Sequence, residues 1–359
     1  MTRILGFFSA VVLVILIAAP SVIAQAESGL HARARITQGI DEMNRVALTG
    51  NTHPEARPAN DRGPVANGFA MDHMLLQLKR SPEQELALQQ FLDELQSKGS
   101  PNFHHWLSAQ EFGERFGLAK PDLDVVIAWL ESHGFQVNVV YPSGMLIDFS
   151  GTAAQVRKAF LTEIHHLEVK GEKHVGNVSD PQIPSALAPV VAGVVSLHDF
   201  RPHTMHHLRK VDKEFTFPGV FGDSNYAVVP ADLAQIYNLN VLFSAGISGQ
   251  GQTIALIEDT DVFRASDWNT FRQTFGLSNY SSGSFTQVHP PAPPAQPGNN
   301  CGAPGILVPN DAEAILDAEW ASASAPSAAI EMAACADTST TFGGLIAIQN
   351  LINSSAPPP

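Results

Sequence analysis

The sequence has 359 residues, of which 44% are hydrophobic and 16% are charged. This composition is typical of a compact globular protein with room for two domains, and it argues against a disordered chain. Acidic residues outnumber basic residues by 35 to 21, which argues against nucleic acid as a partner.

The first 26 residues have the pattern of a secretory signal. Arg3 precedes the apolar run ILGFFSAVVLVILIAAP, and Ala24-Gln25-Ala26 provides a small-residue cleavage site. We therefore predict a secreted protein, extracellular or periplasmic, that meets a membrane only through this signal. The alternative is a retained membrane anchor, for which the apolar run is short.

Residues 27–64 are rich in Asn, Arg, Pro and Gly, and they predict a flexible arm with a short helix near 38–45. Residues 65–200 have regular periodicity instead and predict a folded domain. Its elements are a strand in MDHMLLQLK, helices in SPEQELALQQFLDELQSKG, LSAQEFGERFG, KPDLDVVIAWLESHG and GTAAQVRKAFLTEI, a hairpin in FQVNVVYPSGMLIDFSG, and strands at 164–169 and 190–197. Ser81 and Thr152 are the predicted caps of two helices. We expect these amphipathic helices to pack on one antiparallel sheet.

Residues 201–225 contain basic residues, Pro and Gly without a sustained period, and they predict a linker. Residues 226–359 alternate predicted helices with the apolar strands of SGQGQTIALIEDTDV and AAIEMAAC. Continuous apolar strands between helices favour a parallel α/β sheet. The sequence ends at APPP, where another strand is expected, so we predict an incomplete domain.

The sequence NDAEAILDAEW places Glu313 and Asp317 four residues apart in a predicted helix, on one face with Leu316 and Trp320. No Lys or Arg follows Arg272 in the chain. Desolvation and like charge both raise a carboxyl pKa, so the pair has the character of an acid–base dyad. The alternative is a surface helix whose acids face solvent. No third ligand stands at metal-binding spacing on this face.

Two further sets of residues are candidates for a structural or functional role. Export makes a disulfide between Cys301 and Cys335 plausible, and two free buried thiols are the alternative. Glu258, Asp259 and Asp261 follow a predicted strand, where open sheets have their ligand crevice. We interpret these three as strand-end or surface carboxylates.

Several motifs resemble the sedolisins, or serine-carboxyl peptidases. NFHHWLSAQEFGERFGLAKPDLDVVIAWLESHGF, residues 102–135, resembles the activation segment of pro-kumamolisin. VVAGVVSLHDFRP and PADLAQIYNL are similar to the end of that prosegment and the start of the peptidase domain. EAILDAEWASASAP is similar to the sedolisin E-x-x-L-D-x-E-W helix.

The resemblance implies an α+β prosegment, an antiparallel sheet with helices, followed by an incomplete subtilisin-like α/β domain with a parallel sheet. It also implies a Ser-Glu-Asp triad in which Glu313 is the general base and Asp317 orients it. Protein or peptide substrates, and a prosegment that inhibits its own peptidase, follow from the same resemblance. A carboxylate base of raised pKa suits acidic conditions.

The family's S-G-T-S-x-P motif, its oxyanion Asp and its calcium site have no counterpart in these residues. Ser354 and Ser355 lack flanking glycines and are poor nucleophile candidates. We therefore expect a secreted acid-acting serine endopeptidase zymogen that is inactive by itself, without a cofactor in this chain, and calcium in full-length relatives. The alternatives are a prosegment-like inhibitor of such relatives and a fragment without function.

Two features suggest a response to acid. Paired histidines, His104-His105, His165-His166 and His206-His207, would become charged and loosen the prosegment, although solvated histidines without a role are equally compatible with the sequence. Basic residues of 201–213 would lie against Glu313 or Asp317 until these carboxylates are protonated, unless the linker pairs with nothing. These basic residues are Arg201, Arg209, Lys210 and Lys213.

Overall fold

The computed structural model describes residues 32–202, 213–219, 221–293 and 299–354. Within these ranges, none of the helices combines the length and the apolar character needed to cross a membrane. The predicted signal at residues 1–26 lies outside the described residues.

The N-terminal half, residues 32–202, consists of helices and antiparallel sheets. Its strands are β1 (Arg45–Ala47), β2 (Asp61–Pro64), β3 (Ala70–Leu78), β4 (Gln136–Val140), β5 (Leu146–Thr152), β6 (Ile164–Val169), β7 (Glu172–Asn177), β8 (Gln182–Pro184) and β9 (Val191–Val195). Its helices are α1 (Pro82–Gln96), α2 (Ala109–Phe116), α3 (Lys120–Ser132) and α4 (Ala153–Phe160). The main sheet has the order β4-β5-β3-β9.

The predicted helix starts of this half are confirmed. Ser81 and Thr152 each accept a hydrogen bond from the third residue of the following helix, in complete capping boxes. The antiparallel arrangement is also confirmed, but the expectation of one sheet is wrong. Strands β2, β6 and β7 form a second sheet, in which Leu167 and Val175 are buried, and β1 and β8 form a third.

The stretch predicted as a flexible arm pairs with the rest of the N-terminal half over its described part. Strand β1 pairs with β8, and strand β2 pairs with β6. The predicted helix near 38–45 is wrong, since the first regular element there is β1. The backbone amide of Arg35 donates to the buried carboxylate of Asp122 at 2.8 Å. Such long-range pairing cannot be read from local composition.

The linker contains a short antiparallel hairpin, formed by β10 (Thr216–Pro218) and β11 (Ser224–Tyr226). The C-terminal half, residues 226–354, follows it. This half has the strands β12 (Thr253–Glu258), β13 (Ser284–Val288) and β14 (Ala329–Ala334). Its helices are α5 (Pro230–Ile236), α6 (Leu239–Ser244), α7 (Ala265–Thr274), α8 (Asn310–Ser324) and α9 (Gly343–Ile352).

Strands β12, β14 and β13 form a parallel sheet in that order, as the apolar strands predicted. Strand β14 is central and carries the fully buried Ile330 and Met332. Strand β13 was not predicted, because its sequence SFTQV lacks a continuous apolar run. The strand lies at the edge of the sheet and is only half-buried. Helix α8 packs its buried Ala314 and Ala318 against this sheet.

Candidate functional site

Polar side chains gather where the three parallel strands end. Glu258 is the last residue of β12, and Asp259 follows it. Strand β13 leads to His289, whose Nε2 lies 2.8 Å from the Asp261 carboxylate. Strand β14 leads to Asp337. Carboxyl ends of parallel strands share one edge of a sheet, the usual position of a ligand crevice.

Helix α8 begins at this edge of the sheet. Asn310, its first residue, donates from Nδ2 to both carboxylate oxygens of Asp259, at 3.1 and 3.0 Å. One turn later the helix presents Glu313, and a second turn later Asp317. We refer to Glu258, Asp259, Glu313 and Asp317 as the carboxylate cluster.

The face of α8 that carries Glu313 and Asp317 differs from the predicted one. Leu316, expected to shield the pair, is 38% exposed. The buried stripe consists of small residues, namely Ala314, Ala318, Ser322 and Ala323. Small side chains let the helix approach the sheet closely, and Glu313 and Asp317 lie beside this contact between helix and sheet. Asp317 remains accessible to water.

The proximity of the acids changes their proton affinities. Partial burial, together with the nearby Glu313 carboxylate, raises the pKa of Asp317. Burial, followed by the charges of Asp317, Asp259 and Glu313, raises the pKa of Glu258 to about 8. Glu258 and Asp317 therefore keep their protons to a higher pH than free carboxyl groups do.

Glu258 lies half-buried in the carboxylate cluster, whereas the sequence predicts a strand-end or surface carboxylate at this position. Its position as the last residue of an apolar strand was the available signal. Glu319 belongs to another part of α8, where burial and the charge of Asp267 raise its pKa to about 7.

Arg201, at the end of the N-terminal half, reaches the same edge of the sheet. Its Nη1 lies 2.8 Å from the Asp337 carboxylate, and its Nη2 donates to the carbonyl of Thr338. The predicted partners of this basic residue were Glu313 and Asp317, and the observed partner is Asp337. Arg209 and Lys210, and the side chain of Lys213, lie outside the described residues.

The environment of Asp337 combines opposing effects on its pKa. Burial raises the pKa, while the backbone N–H of Gly343 and the charge of Arg201 oppose that rise. The net direction is upward. Asp337 thus joins the end of the N-terminal half to the edge of the carboxylate cluster.

The remaining candidates occupy other places. The Sγ atoms of Cys301 and Cys335 are 1.96 Å apart, as in a disulfide, and their Cα atoms are 5.0 Å apart. Ser354 lies just beyond the C-terminal end of α9, and Ser355 lies outside the described residues. Over the described ranges, no group of three or more His, Cys, Asp or Glu side chains could hold a metal ion.

The histidines respond to acid in two directions. Against the effect of burial, hydrogen bonds to Asp61 and Glu163 raise the pKa of His165, so its protonation favours the fold and does not loosen it. Burial lowers the pKa of His53 and of His198. The predicted pair His206-His207 lies outside the described residues.

Comparison with known proteins identifies relatives of both halves. Residues 59–200 match the pro-kumamolisin activation domain. Kumamolisin from Bacillus sp. (strain MN-32) is 27% identical over 306 residues, 84% of this chain and 52% of that protein. Xanthomonalisin from Xanthomonas sp. (strain T-22) is 30% identical over 256 residues, 68% of this chain and 30% of that protein.

Sedolisin from Pseudomonas sp. (strain 101) is 29% identical over 153 residues, 42% of this chain and 25% of that protein. The chain therefore spans about half the length of one of these curated relatives and less of the other two. Residues 59–200 are a pro-kumamolisin activation domain, and the chain is similar to peptidases of the sedolisin family.

Proposed function

We propose that the chain is a secreted zymogen of an acid-acting serine endopeptidase. Its N-terminal half is the intramolecular inhibitor, and its C-terminal half carries the acid–base part of the catalytic site. The observation that supports this proposal best is the carboxylate cluster at the strand ends, with the raised pKa of Asp317 and of Glu258. Proteins or peptides would be the substrates.

In this proposal Glu313 is the general base and Asp317 orients it. The base removes the proton of a serine hydroxyl as its oxygen attacks the peptide carbonyl carbon, and later returns a proton to the leaving amine. Glu258, with a pKa of about 8, is neutral in acid and adds no further negative charge to the cluster. Proton exchange is then left to Glu313 and Asp317. A carboxyl group is the better-matched base when the working pH is low.

The S-G-T-S-x-P motif does not occur in these 359 residues. We therefore propose that the chain by itself does not hydrolyse peptides. The test is a hybrid in which this chain replaces the matching part of kumamolisin. Hydrolysis of a denatured protein is followed at acidic pH in the hybrid and in its Glu313→Gln and Asp317→Asn variants.

Each variant of the hybrid should lose at least about a hundredfold in rate, the usual contribution of a general base. Glu331→Gln, which removes a carboxylate from the central strand of the same sheet, is the matched control and should keep full activity. A fully active Glu313→Gln hybrid would exclude Glu313 as the base.

A second measurement, made on the unmodified chain, is its infrared spectrum near neutral pH. The band of protonated carboxyl groups should lose the contribution of Glu258 in Glu258→Gln and keep that of Glu319, whose pKa is about 7.

A second candidate function is inhibition of full-length relatives. The observation that favours it is the main hydrophobic cluster of the N-terminal half, which is contained within residues 36–197 and holds the fully buried Leu76, Ile147 and Phe149. The test adds the intact chain to active kumamolisin. Inhibition would support this function, and unchanged kumamolisin activity over a range of chain concentrations would argue against it.

Export and calcium complete the proposal. We propose that the signal at residues 1–26 directs export, which N-terminal sequencing of protein recovered outside the producing cell tests. The resemblance places the family's calcium site outside these residues, and the described residues provide no suitable ligand group. No step of the proposed reaction is therefore assigned to calcium.

A further inference from the structure

A buried polar network joins the two halves of the chain. Its centre is Asp148 on β5, which is fully buried and belongs to the N-terminal half. The Asp148 carboxylate accepts hydrogen bonds from Asn138 Nδ2 at 2.8 Å and from Asn300 Nδ2 at 2.7 Å. The ring nitrogen Nδ1 of His73 lies 3.0 Å from it. Asn300 is the member of this set that comes from the C-terminal half.

Tyr141 extends the network across the same boundary. Its hydroxyl accepts from Asn300 Nδ2 at 3.1 Å and donates to Asn350 Oδ1 at 3.2 Å. Asn350 in turn donates to Asn300 Oδ1 at 2.7 Å. Asp148, Tyr141 and the two asparagines are each at most 5% exposed. A buried carboxylate that loses one of its donors pays a large desolvation penalty, so the two halves depend on each other here.

The two asparagines are positioned by one cluster around the disulfide. Asn300 is bonded directly to Cys301, and the loop is also held by a hydrogen bond from Ala336 N to Gly302 O at 2.8 Å. Cys301 and Cys335 pack with Ile346 and Ala347 of α9.

Helix α9 carries Asn350 three residues further on. It is followed by Asn353, whose Oδ1 accepts from the backbone N–H of Ser143 in the N-terminal half at 3.1 Å. The cluster that contains the disulfide therefore supports each of these asparagine contacts with the N-terminal half.

We propose that the Cys301–Cys335 disulfide controls how tightly the C-terminal half holds its activation domain, because it positions Asn300 and Asn350 against Asp148 and Tyr141. This inference rests on the proposed function only in taking the N-terminal half as the retained inhibitor. Reduction of the disulfide would free the loop at residue 300 and uncouple it from α9. The Asp148 carboxylate would then lose its donor from the C-terminal half, and the two halves would separate more readily.

The experiment measures whether the halves stay together after the linker is cut. The intact chain is treated briefly with trypsin, for which the sequence provides Arg209 and Lys210, and the associated fragments are isolated by gel filtration. Their dissociation on dilution is followed by native mass spectrometry. Mass spectrometry of unreduced peptides first verifies the disulfide, and two alkylatable thiols would overturn the inference.

Asn300→Ala should raise the dissociation constant about tenfold to a hundredfold, the effect of removing a buried hydrogen bond to a charged group. Cys301→Ser with Cys335→Ser should do the same, as should reductant added to the unmodified chain. Asn279→Ala, an exposed asparagine of the same half, is the control and should change nothing. If the serine pair loses its folded circular dichroism spectrum, Cys301→Ala with Cys335→Val keeps the cluster apolar.

An exchange of partners gives an independent check. Asp148→Asn alone should weaken the association, and adding Asn300→Asp should restore part of it, since an amide again meets a carboxylate. Wild-type dissociation in Asn300→Ala would overturn the recognition role of the network. Tight association in both cysteine variants would overturn the role of the disulfide. Neither result depends on peptide hydrolysis, so the general base can fail its own test independently.

Discussion

Glu258→Gln should make the C-terminal half more stable at alkaline pH and leave its stability nearly unchanged in acid. In the folded chain Glu258 has a pKa of about 8, against an ordinary value of 4.5. The folded state therefore binds this proton more tightly than the unfolded state does. Its contribution to stability is fully present below the unfolded value of 4.5 and is lost as pH rises through about 8.

The size of the loss follows from the two pKa values. Each tenfold difference in proton affinity corresponds to about 1.4 kcal/mol, so the full difference corresponds to about 5 kcal/mol above the folded pKa. Glu258 is only half-buried, and contact with water reduces the expected effect to about 2–3 kcal/mol. Glutamine keeps the size of a protonated glutamate without its ability to ionise, so the variant should avoid this loss.

The free energy of unfolding would be measured by urea denaturation at about pH 4 and about pH 8.5, and hydrogen exchange at the amides of β12 and α8 would assign the change to this site. Glu331→Gln on β14 is the matched control, and we expect it to show no gain that grows with pH. A Glu258→Gln variant that is destabilised equally at both pH values would refute the reasoning. It would show that the Glu258 carboxyl contributes packing or hydrogen bonds and is not held neutral by its neighbours.

Phe149→Ala should destabilise the N-terminal half by about 3–5 kcal/mol in urea denaturation, because this fully buried ring packs in the core and its loss leaves a cavity. His198→Phe should lessen the loss of stability in acid. Burial, and then the charge of His53, lowers the pKa of His198 below its ordinary value of 6.5. The wild-type free energy of unfolding therefore has its full value above pH 6.5 and decreases as the pH falls below it, because the unfolded state binds the proton more tightly. Thermal unfolding at neutral and acidic pH checks this, and equal acid sensitivity of both proteins would contradict it. Arg201→Gln should speed chymotrypsin cleavage within 201–225, because Asp337 no longer holds the end of the N-terminal half. Unchanged cleavage would show that this ion pair does not restrain the linker.

Much of the fold was readable because local chemistry sets it. The capping residues Ser81 and Thr152 mark helix starts by bonding backbone donors of the next turn. The apolar runs at β12 and β14 predicted parallel strands, since strands covered on both faces need no polar alternation. The pairing of residues 45–64 with distant strands was not readable, for the opposite reason. The strands β1 and β2 are stabilised by partners more than a hundred residues away.

The sequence by itself determined the identity and spacing of Glu313 and Asp317, the starts of the capped helices and the apolar strands β12 and β14, and the resemblance from which the roles of the two acids are proposed. Only the tertiary structure decided which groups surround them. It brought Glu258 to the pair, placed Arg201 on Asp337, and joined Asn300 to Asp148 across the two halves. The physical reason is that pKa values and buried hydrogen bonds depend on distance and desolvation between segments, and chain order does not encode either one directly.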